Sequence, residues 1–153
     1  MNGRTLQILR KVAKRGEVSL ATAIRLVKPR YGNHLDQYPL ALLIEEGYLG
    51  MTIDHTPPPG AEAMREFSLA TTLHMFTLPK NEHGEIHYLG IESTGSLDPA
   101  TQHVFMKAKG ALYLDEHRRK IRDRLWSFIL GFIAGVLGPI VSAWIKAELT
   151  LFG

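Results

Sequence analysis

His83, Glu85 and His87 fall within five positions of one another, a density of imidazole and carboxylate groups that could hold a divalent cation. The context does not complete such a site. His87 falls at the start of an expected strand and His83 in the turn before it, so the two share no fixed face, and no HExxH motif or carboxylate cluster adds ligands. They read as surface histidines. The segment Gly90-Ile91-Glu92-Ser93-Thr94-Gly95 has one residue too many before its serine to match the G-x-S-x-G nucleophile elbow. The sequence contains no P-loop, no dinucleotide fingerprint and no cysteine, which removes thiolate metal sites and disulfides together. No metal, no cofactor and no catalytic residue is expected, and the chain reads as a binding protein rather than an enzyme.

The second chemistry available is cationic. Arg10, Lys11, Lys14, Arg25, Lys28 and Arg30 could neutralise phosphates of a nucleic acid, or could equally form an ordinary solvated face. Net charge is +3 over 153 residues, but it is unevenly spread. Residues 1–34 hold eight bases against Glu17 (+7), residues 35–104 two bases against ten acids (−8), and residues 105–125 seven bases against three acids (+4). Such division argues for charged partners and says nothing of fold.

The elements that would position these groups follow from periodicity and punctuation. Leu6, Leu9, Val12 and Ala13 recur at helical spacing up to Gly16, giving a first helix with Arg10, Lys11 and Lys14 between its apolar positions. Val18-Ser19 reads as staple and N-cap of a second helix that Pro29 stops. Asp36 is the expected cap of a third, residues 36–46, with Leu40, Leu43 and Ile44 inward and Gly47 at its end. Tyr48–Ile53 alternates as a half-buried strand, and Ala61–Thr72 has helical spacing. Leu73–Leu78 and Ile86–Glu92 read as a hairpin around PKNEHGE. His103–Lys107 reads as a further strand before a long helix opens at Gly110.

This order of elements, with the junction Leu42-Leu43-Ile44-Glu45-Glu46-Gly47-Tyr48-Leu49 and with Lys109-Gly110 before Tyr113-Leu114 in FMKAKGALYLDE, resembles the winged helix-turn-helix domain of bacterial regulators of the MarR and PadR kind. The resemblance covers about residues 4–120 and rests on apolar and turn positions. It implies an α+β winged-helix fold that lays its third helix in the major groove of DNA and touches the backbone with its wing. The third helix departs from that role: residues 36–46 carry Asp36, Glu45 and Glu46 and no Lys or Arg.

Leu125–Ile145 runs 21 residues without a charge, about 31 Å of helix against roughly 30 Å of hydrocarbon, with Trp126 and Trp144 near its ends. It is expected to be a single transmembrane helix. Arg118, Arg119, Lys120, Arg122 and Arg124 precede it and Lys146 alone follows, which by the positive-inside rule keeps the N-terminal domain in the cytoplasm at the inner membrane. No secretory signal is expected at the N-terminus. Gly131 and Gly135, and Ala134 and Gly138, are four apart, a spacing that permits close helix packing and a homodimer through the span, although glycine is also common in spans generally.

The expected organisation is a winged-helix domain over 1–109, a basic juxtamembrane helix over 110–124, the span over 125–145 and an outer tail over 146–153. Its expected function is that of a tail-anchored regulatory or adaptor module bound to the lipid bilayer, with a protein partner and DNA as a further candidate. The alternative is a membrane effector that oligomerises through its span and perturbs the bilayer in a stress or phage-defence setting.

Overall fold

Thr5, Ile8, Leu9 and Val12 are buried on one side of helix α1 (Gly3–Arg15), the i, i+3, i+4, i+7 stripe that buries a helix against a core. The computed structural model describes residues 3–53, 60, 62–93 and 98–151, with side chains as far as residue 138. Strand β1 (Glu17–Ser19) leads directly into α2 (Leu20–Arg25), whose N-cap Ser19 accepts a 3.3 Å hydrogen bond from the Thr22 N–H through Oγ. A 3-10 turn (His34–Gln37) precedes α3 (Tyr38–Glu45), with Pro39 in its first turn.

At the end of α3, the Tyr48 N–H donates to the Leu43 carbonyl and the Gly47 N–H to the Ile44 carbonyl, with Gly47 at φ 73°. This is the Schellman arrangement, which needs a residue free of the Cβ penalty at Gly47. Strand β2 (Leu49–Met51) follows at once. After a 3-10 turn (Glu62–Met64) come α4 (Arg65–Met75), the hairpin strands β3 (Ile86–Tyr88) and β4 (Ile91–Ser93), then β5 (His103–Met106) and α5 (Ala108–Leu151).

The sheet that organises the first unit, Met1–Leu112, is closed by its last strand. β5 lies between β1 and β2, antiparallel to both, pairing Val104 with Val18 and with Met51. Leu9, Leu20, Leu40, Leu43, Leu49 and Val104 are fully buried in this unit together with Leu69 and Leu73 of α4, which packs against α3 and the 3-10 turn before it. Gly110, in the first turn of α5, lies so close to the Tyr48 carbonyl that a Cβ would collide with it.

The structure differs from expectation in three places. Leu73–Leu78 is not a strand: Leu69, Ala70 and Leu73 share a helical stripe whose burial holds α4 to Met75, so the first half of a run that looked extended is helical and Phe76–Leu78 turns away from it. The hairpin is the short β3–β4 pair, turning on Leu89 and Gly90, both at positive φ, as a two-residue type I′ turn requires. Asp36 caps no helix; it sits inside the 3-10 turn and serves the loop before it, as shown below.

The transmembrane expectation is also corrected: among the described residues no helix is long and apolar enough to cross a membrane. α5 has 44 residues and carries bases and acids through Arg124. The single-pass, tail-anchored architecture and the inner-membrane location with a cytoplasmic N-terminal domain fall with the span. Residues 139–145, including the Trp144 side chain, lie outside the described side chains. In the second unit, Tyr113–Gly153, the Arg118, Arg119, Lys120, Arg122, Arg124 and Trp126 side chains are exposed, and Lys120 pairs with Glu116 at 2.7 Å. Ala134 is exposed, and a Cβ at Gly131, Gly135 or Gly138 would meet nothing within 4 Å.

Candidate binding surface

The burial of Thr5, Ile8, Leu9 and Val12 leaves the opposite arc of α1 to Arg4, Gln7, Arg10, Lys11, Lys14 and Arg15, all exposed. At 100° per residue these six cover about 140° of the helix, a face with five bases and no acid. Among the described residues none of the five bases forms an ion pair. Arg25, at the end of α2, and Lys28 and Arg30, in the following loop, are exposed as well.

Two hollows show which of these groups come together. A small one of about 30 Å³ is lined by Arg4, Ile8, Val27, Lys28, Asp36 and Pro39, bringing the start of α1 to the α2–α3 connection. A larger groove of about 590 Å³ is lined by Arg4, Arg30, Tyr31, Leu35 and Leu42 among others, with Glu66 on its wall. Arg30 and Lys28 therefore gather around Arg4, a residue that sequence reasoning passed over. Arg10, Lys11 and Lys14 continue the cationic face along α1 and line neither hollow, nor does Arg25.

The loop that carries Arg30 and Tyr31 is built by one carboxylate. Asp36 Oδ1 accepts from the N–H groups of Arg30 (2.7 Å) and Tyr31 (3.0 Å), and Oδ2 from those of Tyr31 (3.1 Å) and Gly32 (2.8 Å). Asp36 is only 7% exposed. Its burial pushes the carboxyl up, but the hydrogen bonds from the backbones of Tyr31, Arg30, Gly32 and Asn33 outweigh it and hold the group below its ordinary range. Sequence could have shown this, because an Asp a few residues after a Pro-x-x-Gly stretch suits loop donors as well as a helix N-terminus.

The hairpin clamps the same loop from the other side. The Tyr88 hydroxyl accepts from the His34 N–H at 3.2 Å and shares a 2.9 Å hydrogen bond with His34 Nδ1. The buried His74 ring of α4 lies edge-on to Tyr88, with centroids 4.7 Å apart. Burial first, and His34 second, favour neutral His74 and lower its pKa, while Asp36 pulls the other way.

α3 is positioned quite differently from a helix free to enter a groove. Leu40, Ala41 and Leu43 are buried, Arg65 Nε of the α4 start meets Glu45 Oε2 at 3.1 Å, and Leu42 and Glu46 are the exposed residues that remain. Lys109 Nζ donates to the Glu46 carbonyl at 2.6 Å and lies 4.6 Å from the Tyr48 ring centre, so the Lys109-Gly110 pair ties the α3 exit to the start of α5. Beside α3 a groove of about 660 Å³ is lined by Glu45, Glu46, Glu62 and Glu66 against the single base Arg65, with Tyr38 and Phe67, a net acidic wall that disfavours phosphate.

His87 is held by Glu85 (3.6 Å) and Glu92 (3.4 Å), and among the described residues no three His, Asp or Glu side chains gather as a metal-binding group. In comparisons with protein-family models, curated proteins and solved structures, the chain finds no match.

Proposed function

We propose that the first unit is a winged-helix-like binding module, regulatory or adaptor in character, that works by contact with a protein rather than by reading DNA with its third helix. The order helix, strand, helix, helix, strand, closed by a central antiparallel strand, supports the likeness. The observation that carries the function is the state of α3. The helix that would lie in a major groove is flanked by α4 and offers Leu42 and Glu46 beside a glutamate-lined groove. Base edges are read by donors and acceptors on an accessible helix that phosphate contacts have placed, and α3 supplies neither.

The basic face of α1 remains, and its contribution is sequence-independent and salt-sensitive. A gel-shift series tests this: the full chain binds duplexes weakly, without sequence preference, and loses them between low and moderate salt. A duplex bound with sequence preference at moderate salt, and released by Leu42→Ala, would sink the reading. The membrane-effector alternative requires a span, which no described helix supplies.

A further inference from the structure

The groove between the start of α1 and the Arg30–Leu35 loop has the composition of a docking site with a definite kind of occupant. Tyr31, Leu35 and Leu42 are 56%, 45% and 37% exposed, three large apolar side chains gathered in one hollow of about 590 Å³. Clustered exposed apolar surface rimmed by charge marks a contact site, whereas scattered single residues do not. Its charged lining is two bases to one acid: Arg4 and Arg30, neither in an ion pair among the described residues, with Glu66, while Lys28 joins Arg4 in the adjoining small hollow. Arg30 lies over the Tyr31 ring, its guanidinium carbon 5.2 Å from the ring centre.

We propose that this groove docks an acidic amphipathic segment of a partner protein, apolar side chains against Tyr31, Leu35 and Leu42 and carboxylates toward Arg4 and Arg30. The proposal rests on the protein-binding reading above and gives it a surface and a partner chemistry. Charge complementarity selects the occupant, since the other four bases of α1, none in an ion pair among the described residues, extend the same field beyond the groove. Single-stranded nucleic acid would use Tyr31 and the arginines, but it has no use for the Leu35 and Leu42 floor. The groove is preformed: the Asp36 carboxylate fixes the backbone of residues 30–32, so docking does not have to order that loop. A short helix with apolar anchors at i, i+3 or i+4 and i+7 presents such a face.

The test selects random displayed peptides on the intact chain, then measures the recovered peptides by fluorescence anisotropy. The expected winners pair acidic residues with large apolar ones, bind at least about ten-fold more weakly to Tyr31→Ala, and recover on Tyr31→Phe. The double reversal Arg4→Glu with Arg30→Glu should enrich basic peptides instead, with thermal melts showing that each variant folds. Selections that enrich nothing, show no charge bias, or yield peptides indifferent to both variants overturn the proposal, as does a single-stranded oligonucleotide that displaces the peptides and depends on the same residues. The gel-shift series is independent, so a failed selection beside absent sequence-specific binding removes this groove and leaves the module reading in place.

Discussion

Replacing Asp36 with Asn keeps the side chain's shape and turns one of its two oxygens into a donor. Oδ1 serves Arg30 and Tyr31, and Oδ2 serves Tyr31 and Gly32, so whichever oxygen is lost strands either the Arg30 or the Gly32 N–H against an amide N–H. A hydrogen bond to a charged group contributes about 1.5–3 kcal/mol, and the N–H left facing an amide N–H adds repulsion to that loss. At 7% exposure little water is available to compensate. The expected loss is about 2–3 kcal/mol at neutral pH, or roughly 8–12 °C in Tm for a unit of this size. Urea denaturation gives the free energy directly, with an unchanged m-value if only the loop is affected.

The pH dependence separates a charge effect from a packing effect. The folded Asp36 carboxyl titrates below its ordinary 3.8, so its stabilisation is complete above that value and disappears as pH falls through the lower folded value. The gap between wild type and Asp36→Asn should therefore be widest at neutral pH and close in strong acid. A loss under about 0.5 kcal/mol, or a gap that stays constant into acid, would refute the account of the loop.

Two further outcomes follow. Leu89 holds φ 52° in the hairpin turn while 60% exposed, a conformation that costs a non-glycine residue about 1–2 kcal/mol; Leu89→Asn, giving the favoured Asn-Gly pair, should raise stability by about 0.5–1 kcal/mol, and a lowered urea midpoint would count against it. Buried His74 has a lowered pKa, so the unfolded chain takes up its proton first; stability from this group is complete above its ordinary 6.5 and declines as pH falls below it, a slope that should flatten in His74→Asn and that would be misassigned if it persists.

Local signals carried much of the first unit. The apolar stripe of α1, the Ser19 cap and the Gly47 exit each depend on a few neighbouring residues, and each stands where its spacing puts it. β1 could not be read, because three residues between Gly16 and a helix cap are too few to show alternation. α4 was half seen: its first residues have helical spacing, but Leu73–Leu78 is mostly apolar and reads equally as a strand, and packing against α3 carries the helix on to Met75. The candidate groove was legible only at Arg30, with Lys28 in the small hollow beside it. Arg4, Tyr31, Leu35 and Leu42 come from three separate segments, and Asp36 was assigned to the wrong set of N–H groups because its donors precede it in the chain. The apolar run after Arg124 was measured as sequence length alone, and among the described residues no helix is long and apolar enough to cross a membrane.

The place of β5 has a consequence for how this protein is made. β1 and β2 touch β5 and not each other, so no strand pairing in that sheet can exist until residue 106 has been synthesised. At about 5–20 residues per second, roughly 3–10 s separate the synthesis of β2 from that of β5. Through that interval the growing chain carries two strands with open edges while the helices between and around them can already gather. The sheet closes last, when β5 enters between its partners and Gly110, a few residues on, settles against the Tyr48 carbonyl.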